Sequence, residues 1–147
     1  MNRLAAIVAM CLGACAVRAA PAVPDPALAP VRSLAGEWRV AGIDGHEIDG
    51  PVGIALRGDS REIWWEPRCA GYARSYAIRG SRFSTGPYIG FKPPRPGDPP
   101  LLICLIAPPP QIGPVFEALT SATAIARTSN NGVEISGGGH SLLLFSQ

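Results

Sequence analysis

The stretch of sequence that decides the fold is LAGEWRVAGIDG, residues 34–45. Within it, the apolar side chains of Trp38 and Val40 alternate with charged ones, and this two-residue period is typical of a strand with one buried face. The Asp-Gly pair near the end of the stretch is a strong signal for a tight turn. We therefore expect residues 36–43 to form a half-buried strand that begins a sheet.

Four further segments continue this pattern toward the C-terminus. They are 52–56, 61–66, 72–78 and a strand around Phe83, and short turns rich in glycine separate them. Parallel strands need a crossover of about a dozen or more residues, so strands joined by such short turns must be antiparallel neighbours. The sequence therefore predicts an antiparallel meander of five strands.

A long loop follows the meander. Residues 86–100 hold six prolines and three glycines, which exclude both a helix and a central strand. We expect Tyr88 and Phe91 to be partly exposed on this loop, and long loops in compact domains are often functional. The next segment, Leu101–Ile106, is apolar throughout, so we expect it to be buried.

The remaining C-terminal part predicts one helix and a hairpin. Ile112, Phe116 and Leu119 recur with helical spacing, and a strand over 122–127 and a hairpin of 133–136 with 141–145 follow. The expected fold class is therefore α+β: a curved antiparallel sheet, a partly closed barrel of about seven or eight strands, packed by one α-helix.

The first residues have the layout of a secretory signal. Arg3 supplies a positive charge and Leu4–Leu12 is an almost unbroken apolar run. The run is too short to cross a bilayer, which needs about 20 apolar residues. We therefore expect the chain to be exported from the cytosol.

The end of this signal resembles a bacterial lipobox. Leu12-Gly13-Ala14-Cys15 places a cysteine after small residues, so residues 1–15 would be the signal peptide and Cys15 the lipidated residue. The expected location is the cell envelope, as an outer-membrane lipoprotein that faces the periplasm. Cleavage near 17–20 is the alternative and would release a soluble periplasmic protein.

Residues 16–32 are rich in proline and alanine and cannot form a regular element. In polyproline geometry they would span up to roughly 50 Å, at about 3.1 Å per residue. We interpret them as a linker between the membrane anchor and a single domain over residues 33–147.

Four cysteines occur in the chain, and Cys11 falls within the signal. Outside the cytosol, a disulfide between Cys69 and Cys104 is the default expectation. Closing a loop of about 36 residues would stabilise the fold by roughly 4 kcal/mol on the chain-entropy model. Two buried thiols are the alternative, and a metal site is poorly supported because His46 and His140 have no paired spacing.

Charge and motifs argue against several classes of function. Thirteen basic and eleven acidic residues nearly balance, which gives no electrostatic reason to expect a nucleic-acid partner. Nucleophile elbows, metalloprotease motifs and phosphate loops do not occur in the sequence. Glu62 and Glu66 flank a pair of tryptophans and are a weak signal for glycoside chemistry. We expect a protein that is not an enzyme and has no cofactor.

Several short motifs occur together in an order that resembles the META domain family, to which HslJ-like lipoproteins belong. These motifs are Leu34-Ala35-Gly36-Glu37-Trp38, Cys69-x-x-Tyr72-x-x-x-Tyr76, a cysteine before a helix with Phe116-x-x-Leu119, and Leu142-x-Leu144-Phe145. The resemblance covers residues 33–147 and implies the α+β fold expected above. The chain departs from the family where members often have Asn and Gly, at Ala70 and Arg74, and it lacks a Thr shortly before its second cysteine. The family is linked to envelope stress and novobiocin resistance, and the resemblance implies no catalytic residues.

Two functions follow as expectations. The first is a binding or envelope-stability module that contacts an unknown envelope protein or small ligand through Trp64, Tyr88 and Phe91, since exposed aromatics supply much of the contact energy at small interfaces. Trp64 lying beneath the helix is the alternative to its exposure. The second function is a periplasmic protease inhibitor with a small β-barrel, in which residues 16–32 would be the inhibitory arm. Such inhibitors lack a helix at 112–122, and their cysteines lie closer together.

Overall fold

The structure is a computed structural model, and residues 28–48, 53–68, 71–90, 92, 95–97 and 106–147 are described here. These residues form nine strands and one helix. The elements are β1 (Gly36–Ile43), β2 (His46–Glu47), β3 (Ala55–Gly58), β4 (Glu62–Trp65), β5 (Ala73–Arg79), β6 (Arg82–Pro87), α1 (Ile112–Ser121), β7 (Ala124–Arg127), β8 (Val133–Gly137) and β9 (His140–Ser146).

All described strand pairs are antiparallel, and the sheet closes on itself. The strand order is β2-β1-β3-β4-β5-β6-β7-β8-β9, and β1 also pairs with β9. In that pairing Trp38 lies opposite Ser146 and Val40 lies opposite Leu144. The result is a closed barrel of eight strands with β2 as one extra strand, and α1 packs against it. The expected α+β barrel with one helix is confirmed.

The meander of five strands corresponds to β1, β3, β4, β5 and β6, which are neighbours in that order. Two details differ from the sequence-based expectation. The two-residue strand β2 was not predicted, because its residues show no apolar alternation. Strand β6 continues to Pro87, since Gly86 and Pro87 still pair with β5, so the long loop begins at Tyr88 and not at Gly86.

The prediction that Leu101–Ile106 is buried is wrong for Ile106, whose side chain is 48% exposed. Three prolines follow shortly after it, and Ile106 and the described residues from there to the start of α1 belong to no helix or strand. Without a regular element to direct it at the core, an apolar side chain can remain at the surface. Residues 101–105 lie outside the described residues.

The core lies between the inner face of the barrel and one side of α1. Five helix residues are buried in it: Ile112, Val115, Phe116, Ala118 and Leu119. Strands β6 and β7 are joined at one paired position, Arg82 with Ala124, so the sheet is open along the rest of β6. The helix α1 lies beside this opening. Farther along β6, the Thr85 hydroxyl donates a hydrogen bond of 3.3 Å to the carbonyl of Leu119 in the helix.

The segment before β1 is part of the domain. Val31 is 4% exposed and Leu34 is fully buried, so the chain enters the core two residues before the predicted domain start. The Trp38 indole N–H donates a hydrogen bond of 2.8 Å to the Leu34 carbonyl. Gly58 packs against the same carbonyl, and a Cβ added at Gly58 would lie 2.2 Å from that oxygen. In the described part of the chain, no helix has the length and apolar character needed to span a membrane.

Candidate functional site

An open groove runs along α1 where the helix meets the beginning of β5. It has a volume of about 440 Å³ and is lined by Tyr72, Arg74, Gly113, Phe116, Glu117, Thr120 and Ser121. The lining positions on the helix are spaced three or four residues apart, so they share one face. From Gly113 to Thr120 this face extends about 10 Å, at 1.5 Å per residue. We name it the helix groove.

Aromatic rings form the base of the helix groove. The ring of Phe116 is buried, and its centroid lies 5.3 Å from that of Tyr72. Tyr72 in turn meets Trp65 edge to face, with centroids 6.2 Å apart. Such contacts stabilise ring pairs by about 0.5–1.5 kcal/mol beyond simple burial. The row of three rings therefore has a fixed orientation.

Arg74 holds its guanidinium over this aromatic base. Its Cζ lies 5.7 Å from the ring centroid of Phe116. Its Nε donates a hydrogen bond of 3.2 Å to the Thr120 hydroxyl, and its Nη1 donates one of 2.8 Å to the Ala73 carbonyl. These contacts to the helix and to β5 fix the direction of the guanidinium.

Three polar groups of the groove have no hydrogen-bond or ion-pair partner among the described residues. They are Nη2 of Arg74, the hydroxyl of Tyr72 and the carboxylate of Glu117. Polar groups around an apolar base are the usual composition of a ligand pocket, in which the apolar part supplies contact area and the polar groups fix orientation. The arrangement suits the binding of a ligand that has an apolar side chain and, next to that side chain, a polar group.

Trp64 lies outside this groove, on the other face of β4 from Ile63 and Trp65. The latter two belong to or pack against the core, and neighbouring residues in a strand point to opposite faces. Trp64 is half-buried; its indole N–H donates a hydrogen bond of 2.9 Å to Glu66, and the guanidinium of Arg68 lies 4.5 Å from its ring centroid. The indole is therefore not beneath α1, and Arg68 covers one of its faces.

Glu62 and Glu66 have separate structural partners. Glu62 is 5% exposed, accepts a hydrogen bond from the Ile89 amide and forms an ion pair with Arg68. Glu66 is exposed and accepts the indole hydrogen bond of Trp64. Because an ion pair and an amide occupy the Glu62 carboxylate, the role that the geometry gives it is to hold the start of the long loop against β4.

The other residues singled out from the sequence are spread through the chain. Tyr88 is half-buried directly after β6. Phe91, Cys15, Cys69 and Cys104 lie outside the described residues. Within the described ranges, no group of three or more His, Cys, Asp or Glu side chains is placed to hold a metal ion.

His140 pairs with Asp44 across two turns. Its Nδ1 lies 2.9 Å from Oδ2 of Asp44, and the other carboxylate oxygen accepts the Ser141 amide at 2.8 Å. Desolvation raises the pKa of Asp44, but hydrogen bonds from Ser141 and His140, with the charges of His140 and His46, outweigh it and lower the pKa below 3.8. The hydrogen bond to Asp44, and then the charge of that carboxylate, raise the pKa of His140 above 6.5. This pair fastens the turn after β1 to the β8–β9 turn.

The helix groove was not predicted, although two of its aromatic residues had been identified in sequence motifs. Tyr72 and Phe116 both belong to the motifs quoted above, but nothing in the sequence indicates that they touch. Arg74 was noted only as a departure from a family pattern. Contacts between β5 and α1 join residues more than 40 positions apart, such as Arg74 and Thr120.

Comparisons of this chain with family models, with curated proteins and with solved structures found no match.

Proposed function

We propose that this chain is an exported envelope lipoprotein with a META-like domain, and that the domain binds a partner and does not catalyse a reaction. The observation that carries the proposal is the helix groove, in which three polar groups without a partner among the described residues surround a fixed aromatic base. The partner is a peptide or protein segment that inserts an apolar side chain against Tyr72 and Phe116. A carboxylate or carbonyl next to it accepts hydrogen bonds from Arg74 and Tyr72.

The groove supports this better than the outer tryptophan does. Trp64 is already stacked with Arg68 and hydrogen-bonded to Glu66, whereas three polar groups of the groove form no hydrogen bond or ion pair with any described residue. We therefore place the primary contacts in the groove and treat Trp64, Tyr88 and Phe91 as secondary contacts. The segment between β4 and β5 contributes to both places: Tyr72 lines the groove, and Glu66 and Arg68 contact Trp64.

The location is proposed from the first residues of the sequence. A signal that ends in Leu12-Gly13-Ala14-Cys15 would leave the domain on a linker over residues 16–32, anchored through acyl chains. Metabolic labelling with a radioactive fatty acid tests this, with Cys15→Ser as the control. Label in the unmodified chain and none in the variant supports an anchored protein, and absence of label in both contradicts it.

A photoreactive amino acid at position 117 tests the binding surface. In the intact envelope it should give a discrete adduct, because this position lines the groove and is exposed. The same amino acid at position 57 is the matched control, since Arg57 is exposed on β3, away from α1. Arg74→Ala should remove the adduct and Trp64→Ala should leave most of it. Adducts of equal yield from both positions would contradict the proposal.

A periplasmic protease inhibitor is the alternative. A closed barrel of eight strands agrees with it, but α1 is an element that such inhibitors lack and therefore counts against it. Assay of a secreted metalloprotease with the purified full chain distinguishes the two. Stoichiometric inhibition would replace the proposal of an envelope binding module.

A further inference from the structure

A second groove lies on the outside of the barrel at the β5–β6 hairpin. It has a volume of about 730 Å³ and is lined by Ala77, Arg79, Arg82, Phe83, Ser84 and Thr123. At this groove, β6 of the hairpin pairs with β7 through one position, Arg82 with Ala124. Next to this position, the Phe83 amide donates a hydrogen bond of 2.9 Å to the Thr123 carbonyl. That bond fixes Thr123 beside β6.

Arg79 and Arg82 lie directly opposite each other across the hairpin. Directly opposed residues in an antiparallel pair have their Cβ atoms about 5 Å apart, and like charges in this position destabilise the pair. Both side chains are exposed, on the face away from Ile78 and Phe83. Two positive charges are therefore held together at the rim of the groove.

No described carboxylate neutralises these two arginines. The ion pairs formed by described residues involve Arg57, Arg68 and His140, and no hydrogen bond between described residues uses the guanidinium of Arg79 or Arg82. Ser84 and Thr123, whose side chains carry hydroxyl groups, also line the groove. Paired guanidinium groups with adjacent hydroxyls are the donors that bind a phosphate group through several charge-assisted hydrogen bonds.

We propose that the groove at Arg79 and Arg82 binds a phosphate group. The bound anion offsets the repulsion between the two guanidinium groups, and the exposed side chain of Ala77 offers apolar surface to the organic part of the molecule that carries it. That molecule is either a soluble phosphate compound or a phospholipid headgroup, because both present the same oxygens. This site is formed by β5, β6 and Thr123 and is independent of the helix groove, so either proposal can fail alone.

Titration of the purified full chain with inorganic phosphate in a calorimeter tests the site. The variant Arg79→Gln/Arg82→Gln should weaken phosphate binding by at least about tenfold, because it removes the charge-assisted hydrogen bonds that both guanidinium groups donate to the anion. Arg39→Gln/Arg57→Gln is the matched control, because it removes the same charge from β1 and β3. It should change the affinity less than about twofold, a change that corresponds to long-range charge alone. Melting temperatures of both variants verify that they fold.

Vesicles distinguish the two sources of phosphate. Flotation with phosphatidylglycerol vesicles, with phosphatidylcholine vesicles as reference, measures headgroup binding by the same variants. Arginine-dependent binding of the anionic vesicles that far exceeds the binding of free phosphate identifies a headgroup, and the opposite ranking identifies a soluble compound. The proposal would be overturned if the chain bound neither phosphate nor the anionic vesicles, or if the two double variants lost the same amount of affinity.

Discussion

The amide of Leu34 donates a hydrogen bond of 2.8 Å to the phenol oxygen of Tyr76, which lies on the fourth strand of the meander. The same phenol donates a hydrogen bond of 2.5 Å to the Asp59 carbonyl, in the turn before β4. One side chain therefore joins the segment before β1 to the β3–β4 turn. The Leu34 carbonyl also accepts a hydrogen bond from the Trp38 indole, so packing at this end of the barrel explains the first and last residues of the Leu-Ala-Gly-Glu-Trp motif.

Replacing Tyr76 with phenylalanine tests this junction. Tyr76→Phe should lower the free energy of unfolding by about 1–3 kcal/mol, because it leaves the buried Leu34 amide without an acceptor. Denaturant titration followed by tryptophan fluorescence measures the change. Loss of less than about 0.5 kcal/mol would show that water replaces the phenol at no cost.

Two glycine-to-alanine substitutions should have opposite effects. In Gly58→Ala the new methyl group would overlap the Leu34 carbonyl, so the fold should lose about 3 kcal/mol or not form. In Gly113→Ala, in the first turn of α1, the methyl group meets nothing within 4 Å. Alanine is the better helix former, so stability should rise by up to about 0.5–1 kcal/mol. Thermal melts of the two variants side by side check both signs, and equal changes would contradict this explanation of Gly58.

Removing the partner of the buried carboxylate should also destabilise the domain. Among the described residues, Arg68→Ala leaves the buried carboxylate of Glu62 with the Ile89 amide as its one hydrogen-bond donor, and we expect a loss of about 1–3 kcal/mol in the free energy of unfolding. The variant also uncovers one face of Trp64, so its fluorescence should change in the folded state. In the double variant Glu62→Gln/Arg68→Ala most of the stability should return. A double variant no more stable than Arg68→Ala alone would show that charge burial is not the cause.

The pair of His140 and Asp44 predicts a defined pH dependence. The raised pKa of His140 gives stability that is fully present below about pH 6.5 and is lost as the pH rises through the folded-state value. The lowered pKa of Asp44 gives stability that is present above about pH 3.8 and is lost as the pH falls through its folded-state value. The pair should therefore stabilise the turns most between these two limits.

An NMR titration of the His140 ring checks this directly. Its midpoint should lie above 6.5 in the unmodified chain and should fall in Asp44→Asn, which keeps a residue tolerant of the positive φ of 53° at this position. Identical midpoints in the two proteins would show that Asp44 does not interact with the imidazole.

Local pattern predicted most of the barrel. Alternation around Trp38 and Ile63 identified strands, and the spacing of Ile112, Phe116 and Leu119 identified the helix, because these periods report which side chains face the core. Full closure was not predicted. It depends on the pairing of β1 with β9, between residues about 100 positions apart, and no short-range signal specifies such a pairing.

The sites depend even more on distant contacts. Trp64 was expected to be either an exposed contact residue or a residue beneath the helix, but only the structure shows Arg68 stacked on it. The groove at Arg74 and the pair of Asp44 with His140 join elements from opposite ends of the domain. Each member is an ordinary surface residue in the sequence, so its role follows only from its neighbours in space.

The central claim, that the helix groove is a preformed binding surface, is tested most directly by Tyr72→Phe. The Tyr72 hydroxyl has no partner among the described residues, so its removal keeps the ring contacts with Trp65 and Phe116 and should change stability by less than about 0.5 kcal/mol. Measured together with the crosslink from position 117, the variant should melt like the unmodified chain and yield several-fold less adduct. An unchanged adduct, or a loss of stability as large as that of Tyr76→Phe, would show that the groove is packing and not a site.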